Sequence, residues 1–150
     1  MLLHDLTPTP LAELFLFLAD RAEHIQKVVA PNSDKTIVSD RGFLSGIAYA
    51  RAKTDVGLKT LQEFNDLALQ GHYPDKIVFF EITPQELKRR MGEAPLDTIE
   101  ERGVEYLLEV QAIMKDLLSR YPLPSLIIDA TRPKEEIFHD ILAFIKDEND

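Results

Sequence analysis

The chain has 150 residues, of which 45% are hydrophobic and 29% charged, a composition typical of one soluble globular domain over residues 1–150. Its net charge of −9 argues against a surface that binds nucleic acid through general positive potential, but permits a small anionic ligand held by a few arginines. The sequence has no cysteine, no apolar run long enough to span a bilayer and no signal-peptide pattern, so we expect a cytoplasmic protein without disulfides or thiolate metal sites.

The first half of the chain predicts a long helix, a short strand and two further helices. After Pro10, apolar residues recur at helical spacing and form one stripe. The stripe comprises Leu11, Leu14, Phe15, Leu18, Ala22, Ile25 and Val29. The segment KTIVSD at residues 35–40 is predicted as a strand, and residues 42–51 and 58–69 as helices.

The second half predicts two strands, each followed by a helix. The apolar run DKIVFFEI at residues 75–82 is the clearest strand, and Thr83 and Pro84 are typical of a helix start. The remaining predicted elements are a loop at 92–97, a long helix at 98–120, a strand at 125–130 and a helix at 134–146.

Strands that alternate with helices, each a short apolar run, indicate an α/β fold whose parallel strands are covered on both faces. In such sheets ligands bind beyond the carboxyl ends of the strands. We therefore expect Asp40, Arg41, Thr131 and Arg132 to lie near the ligand.

The adjacent charges of Asp40 and Arg41 allow two interpretations. They form a local ion pair at a strand end, or they form an anion clamp in which the arginine binds phosphate and the aspartate holds Mg²⁺ through water or accepts a proton. The residues alone leave both open.

Phe17 and Arg21 also allow two interpretations, since residues four apart share one helix face. They are a core ring beside a solvated cation, or a stacking platform for a planar base. Residues 88–90, Lys-Arg-Arg, are either a solvated helix face or part of a lid over polyphosphate.

Five segments in order resemble the thymidylate kinase family. They are LFLFLADRAEHI (14–25), IVSDRGFLSGIAYA (37–50), YPDKIVFFEITPQELKRR (73–90), LDTIEERG (96–103) and LIIDATRPKEEI (126–137). The resemblance runs from Met1 to about Ile137. It implies a three-layer parallel sheet flanked by helices, of the P-loop nucleoside monophosphate kinase type, and the phosphorylation of dTMP to dTDP with ATP and Mg²⁺.

The resemblance also implies roles for individual residues. Phe17 would stack on thymine, Arg21 would bind the base edge, and Ser45 and Tyr49 would line the nucleoside pocket, with Tyr49 under the deoxyribose. Arg41 would bind the dTMP phosphate, and Asp40 would serve the magnesium and phosphoryl-transfer centre. Thr131 and Arg132 match the loop around the adenine of ATP, and the family implies a homodimer.

The sequence departs from the family pattern in one major respect, because it contains no GxxxxGK[ST] phosphate loop. We expect the first strand, the P-loop and the first helix to be absent, a flexible lid at about 91–98, and no activity for the 150-residue chain. The favoured explanation is a kinase whose N-terminus is missing from the record. The alternatives are a non-catalytic nucleotide-binding remnant and an α/β interaction domain.

Overall fold

The structure is a computed structural model that describes residues 7–93 and 103–146, and it divides into two compact units at residues 73 and 74. Each unit is described by itself. Within the described ranges, no helix combines the length and apolar character needed to cross a membrane.

The first unit is helical. Helix α1 (Pro10–His24) begins where Thr9 accepts a hydrogen bond from the Ala12 backbone N–H, and it continues through a π-helical turn (Ile25–Val29) and a 3₁₀ turn (Ala30–Asn32). Helices α2 (Phe43–Lys53) and α3 (Leu58–Leu69) follow. Their buried apolar residues, together with Leu14 and Ile25, form the core of this unit.

The predicted apolar stripe of α1 is only partly buried. Leu14 and Ile25 are in the core, but Leu11 and Phe15 are 49% and 52% exposed. The ring of Phe15 lies 6.0 Å from that of Phe64 on α3. The helix therefore leaves an apolar face at the surface of the unit.

The predicted strand at residues 35–40 is wrong for this structure. Residues 36–39 are irregular and, in the part of the chain that is described, pair with no strand; Val38 is 82% exposed. An apolar β-branched run forms a strand only when a neighbouring strand pairs with its backbone N–H and C=O groups. No described segment provides that pairing here.

The second unit contains strands β1 (Ile77–Glu81) and β2 (Ser125–Asp129), which pair in parallel with Phe79 opposite Ile127. This pairing confirms the predicted α/β class and strand direction. The core of the unit consists of Phe79, Val110, Leu117, Leu118 and Ile128.

Three helices complete the second unit: α4 (Pro84–Glu93), α5 (Gly103–Arg120) and α6 (Lys134–Lys146). The side-chain amide of Gln111 on α5 binds both backbone groups of Ile82, accepting from its N–H at 2.9 Å and donating to its C=O at 3.1 Å. The end of β1 is thereby joined to α5.

Of the helix predicted at 98–120, residues 103–120 are confirmed as α5. Gly103, the first residue of α5, has φ +82°, a left-handed conformation that favours glycine. Residues 98–102 lie outside the described residues. Of the expected lid, residues 91–93 belong to α4, and residues 94–98 lie outside the described residues.

Candidate functional site

The N-terminus of α2 is the point at which several predicted site residues meet. The carbonyl oxygen of Gly42 accepts a hydrogen bond from Ser45 Oγ at 2.9 Å and one from Arg21 Nη2 at 3.4 Å, as well as the backbone N–H of Gly46 at 3.3 Å. A single carbonyl therefore links α1 to the first turn of α2.

Arg41 has a left-handed backbone, with φ +64°. An L-residue other than glycine is uncommon in this region, where it is strained by roughly 1–2 kcal/mol. The hydroxyl of Ser39 donates to the Arg41 carbonyl at 3.0 Å and holds this turn. Strain retained at a residue that carries a charge is a pointer to function.

The side chain of Arg41 is exposed and lies beside Tyr49 of α2. Its guanidinium carbon is 5.8 Å from the centre of the tyrosine ring, close to the limit for a cation–π contact. Tyr49 is half-buried. This contact joins the predicted phosphate ligand to the predicted deoxyribose contact on one side of α2.

Asp40 and Arg41 do not form the local ion pair that the sequence allowed. Within residues 7–93 and 103–146, no ion pair joins them. Asp40 is exposed at the residue before the strained turn. The ion-pair interpretation is therefore wrong, while the role of Asp40 in an anion clamp stays a prediction.

Phe17 and Arg21 lie on one face of α1, as the spacing predicted, and both line one small cavity. The Phe17 ring is 58% exposed, so it is not a core residue. Arg21 is largely buried, and this desolvation lowers its pKa, although the charge of Asp20 acts in the opposite direction.

Two residues of this cavity were not predicted from the sequence. Gly46 on α2 and Asn65 on α3 line it together with the guanidinium of Arg21. Asn65 is 1% exposed, and its position four residues after Leu61 on the apolar face of α3 was the available signal for burial. Gly46 offered only the signal of a glycine inside a predicted helix.

Thr131 and Arg132 lie in the second unit, in the loop between β2 and α6. Thr131 donates from its hydroxyl (2.6 Å) and from its backbone N–H (2.8 Å) to Asp129 Oδ1, and these bonds lower the pKa of that carboxyl. Arg132 donates to Asp140 at 2.7 Å and to Glu136 at 3.3 Å, which raises its pKa. Both loop residues are thus held in place.

Two of the three basic residues considered for a lid, Arg89 and Arg90, bind Glu86 on their own helix. Glu86 accepts from Arg89 Nη2 and from Arg90 Nε, both at 2.7 Å, and these bonds lower the pKa of Glu86 to about 2. Arg90 also donates to the carbonyl of Ala130 at 2.8 Å. Arg90 therefore joins α4 to the loop that carries Thr131.

A metal site built from several side chains is absent from the described parts of the chain, which contain no group of three or more His, Asp or Glu residues able to hold an ion. This finding is compatible with the Mg²⁺ expected from the sequence. Mg²⁺ in kinases is usually held by one or two carboxylates, with substrate phosphates and water completing the shell.

The comparisons with known proteins agree on one family. The family model described as "Thymidylate kinase" matches residues 1–141. A thymidylate kinase of Sulfurovum sp. (strain NBC37-1) is 49% identical over 146 residues, 97% of this chain and 76% of that protein.

Two further relatives give the same result. The thymidylate kinase of Campylobacter curvus (strain 525.92) is 49% identical over 138 residues, 90% of this chain and 71% of that protein. The thymidylate kinase of Campylobacter concisus (strain 13826) is 48% identical over 136 residues, which are 89% of this chain and 70% of that protein. The chain belongs to the thymidylate kinase family, a family of phosphotransferases.

Proposed function

We propose that the protein is an ATP-dependent dTMP kinase, which forms dTDP for dTTP synthesis, and that the dTMP site lies in the first unit. The observation that carries the proposal is that Arg21 and Ser45 share the Gly42 carbonyl at the N-terminus of α2, while Arg41 lies beside Tyr49 of the same helix. Family membership supplies the substrate class.

The phosphate subsite would be formed by Arg41 and the first turn of α2. The first residue before α2 is Gly42, which has no side chain to cap the helix, so the positive end of the helix keeps its capacity for an anion. Arg41 adds a full charge and a fork of N–H donors that suits phosphate. Its strained, exposed turn is consistent with this role.

The base subsite would be formed by Phe17 and Arg21. An exposed aromatic ring can stack on thymine, and the Arg21 guanidinium beside it can donate to a carbonyl oxygen on the base edge. Ser45 and Tyr49 would line the nucleoside between the two subsites, with Tyr49 under the deoxyribose.

Asp40 would hold Mg²⁺ through water, next to the phosphate bound by Arg41. The metal would neutralise charge on the phosphates during transfer. Thr131 and Arg132 of the second unit would contact the adenine of ATP, and their fixed side chains support a preformed loop. We further propose that residues 1–150 act as one domain, and in the cytoplasm.

We also propose that residues 1–150 by themselves bind dTMP without transferring phosphate. They contain no GxxxxGK[ST] motif, and without its backbone N–H groups and lysine the β- and γ-phosphates lose their main electrostatic stabilisation. The absence of this motif from the 150 residues also favours the second candidate function, a nucleotide-binding protein without kinase activity.

Isothermal titration calorimetry with dTMP tests the proposed dTMP site, and a coupled assay for ADP release tests the proposed inactivity of the 150-residue chain. Binding of dTMP with no turnover by the 150-residue chain is the expected result. Turnover by this chain would contradict the proposed inactivity, and the absence of dTMP binding would contradict the proposed site. Titration with AMP and dCMP as competitors tests whether binding is selective for thymine.

We propose that the protein forms a homodimer through the apolar α1–α3 face, which is defined as Leu11, Phe15, Phe64 and Leu67. Leu67 is 78% exposed, and the Phe15 and Phe64 rings are in contact. A face of this kind is typical of an interface. Sedimentation velocity should give a dimer that Phe15→Glu converts to a monomer. The matched change Phe138→Glu, on an exposed ring of α6, should leave the dimer intact; a dimer that persists in Phe15→Glu would contradict the assignment.

A further inference from the structure

The cavity beside Arg21 is too small to be the base pocket itself. Its volume is about 10 Å³, roughly the space that one water molecule requires. Its walls are formed by Leu14, Phe17, Leu18, Arg21, Gly46 and Asn65. The cavity is therefore a small gap in the packing around the Arg21 guanidinium, and its walls are the groups that hold Arg21 in position.

The guanidinium is held more by shape than by hydrogen bonds. Nη2 donates to the Gly42 carbonyl at a long 3.4 Å, and the buried Nε has no acceptor among the described residues. A guanidinium carries five N–H donors. Arg21 therefore keeps donors for a ligand, but its direction depends on the groups packed against it.

Gly46 supplies the room for this packing. A Cβ atom built at Gly46 would lie 2.8 Å from Arg21 Nη2, closer than real Cβ atoms come to other atoms. The backbone at Gly46 does not need glycine, since its φ is not positive, and glycine weakens the interior of a helix such as α2. The lack of a side chain is thus explained by the approach of Arg21.

Asn65 forms the opposite wall. Its side-chain N–H donates to the carbonyl of Leu61 at 2.9 Å, which fixes the orientation of the amide. Its Oδ1 lies 3.8 Å from the same Cβ position at Gly46. Asn65 therefore places a buried amide in the wall of the small cavity that the Arg21 guanidinium also lines.

We infer that Gly46 and Asn65 are positioning residues for Arg21: Gly46 provides the space, and the buried amide of Asn65 a polar wall, that keep the guanidinium turned toward the base of the bound nucleotide. The inference rests on the proposed dTMP site. Any side chain at position 46 pushes the guanidinium out of this place, and the contact with the base edge is lost while the phosphate contact through Arg41 remains.

The test has one readout without nucleotide and one with it, both in the full chain. The first is the ¹⁵Nε–H resonance of Arg21, assigned by its loss in Arg21→Lys. Gly46→Ala should shift this resonance, whereas Gly57→Ala, the same change in the same unit at a glycine with nothing within 4 Å, should not. An unshifted resonance in Gly46→Ala overturns the inference.

The second readout is dTMP affinity by calorimetry. Gly46→Ala should weaken binding by about tenfold, the loss of one charge-assisted hydrogen bond, and Gly57→Ala should not. In an Arg21→Lys background, Gly46→Ala should cause no further loss, because the guanidinium is already gone. An equal loss in both backgrounds overturns the inference, since the effect would not pass through Arg21.

Failure of the proposed function is a separate outcome. If the unaltered chain binds no dTMP, the proposed site falls, and the resonance alone then decides whether Gly46 and Asn65 position Arg21. If Gly46→Ala does not fold, Asn65→Leu takes its place. It removes the buried amide from the cavity wall and should shift the Arg21 resonance; an unshifted resonance in that variant overturns the inference.

Discussion

Arg41 combines a strained backbone with the proposed phosphate contact, and substitutions can separate these two properties. Glycine adopts φ +64° without the clash that a Cβ causes, whereas alanine keeps the clash, and both remove the guanidinium. Arg41→Gly and Arg41→Ala should therefore be equal in dTMP binding and different in stability.

The magnitude of the stability difference follows from the backbone. The left-handed conformation costs alanine roughly 1–2 kcal/mol, and the larger freedom of glycine in the unfolded chain offsets about 0.4–1 kcal/mol of this. Arg41→Gly should thus be about 1 kcal/mol more stable than Arg41→Ala. The lost cation–π contact to Tyr49, worth about 0.5 kcal/mol at an exposed site, is common to both variants and cancels.

The loss of dTMP binding free energy in these variants should be larger than the difference in their unfolding free energy. Loss of a charge-assisted contact to phosphate should weaken dTMP binding by about 2–3 kcal/mol in both variants, roughly 30- to 150-fold in Kd. Urea unfolding measures the first quantity and calorimetry the second. Arg51→Ala, on an exposed arginine at the other end of α2, is the control for loss of charge and should bind dTMP normally.

Gln70 provides the control for strain, because it is the other non-glycine residue with positive φ (+53°) in the described chain. The difference between Gln70→Gly and Gln70→Ala should also be about 1 kcal/mol, with no effect on dTMP. The reasoning is refuted if Arg41→Gly is no more stable than Arg41→Ala while the Gln70 pair differs. An unchanged dTMP affinity in either Arg41 variant would refute the phosphate contact.

Three further predictions follow from the other contacts. Tyr49→Ala should relax discrimination against the ribonucleotide, while Tyr49→Phe should retain it because the ring remains; unaltered selectivity in Tyr49→Ala would count against a place under the deoxyribose. The pKa of Glu86 is lowered from 4.5 to about 2, so its ion pairs stabilise the fold above pH 4.5 and this stabilisation is lost as the pH falls toward 2. Glu86→Gln should remove that part of the pH dependence of unfolding. A pKa of the Glu86 carboxyl near its ordinary value, measured by ¹³C NMR, would contradict the lowered pKa. Gln111→Ala should destabilise the second unit by about 1–3 kcal/mol, since the backbone groups of Ile82 lose both partners, whereas the exposed Gln85→Ala should have little effect in the same urea titration.

The elements with a strong local sequence pattern were predicted well from the sequence. The helix at 58–69 and the strands at 77–81 and 125–129 lie within a residue or two of their predicted positions. Segment 35–40 was predicted wrongly. Its apolar pattern is that of a strand, but a strand needs a pairing partner, which no described segment provides. Pattern predicts which face a segment would bury, and pairing depends on what lies beside it.

The candidate site was predicted by residue type and by resemblance, but not in its geometry. Spacing placed Phe17 and Arg21 on one face. Nothing in the sequence indicated that Arg41 has a left-handed backbone, because arginine seldom adopts one, and the ion pair with Asp40 was the simpler interpretation. Gly46 and Asn65 act through packing across two helices, a relation that linear spacing does not contain.

The two arginines of the proposed site differ in burial, and this difference fits two different ligand groups. Arg21 is largely buried, so its charge is already costly, and desolvation lowers its pKa. It suits a neutral carbonyl on a base edge, where it need only donate a directed hydrogen bond. Arg41 is exposed, and its charge can meet a phosphate without prior desolvation. Both lie next to Gly42: Arg21 donates to its carbonyl, and Arg41 precedes it in the left-handed turn at the start of α2.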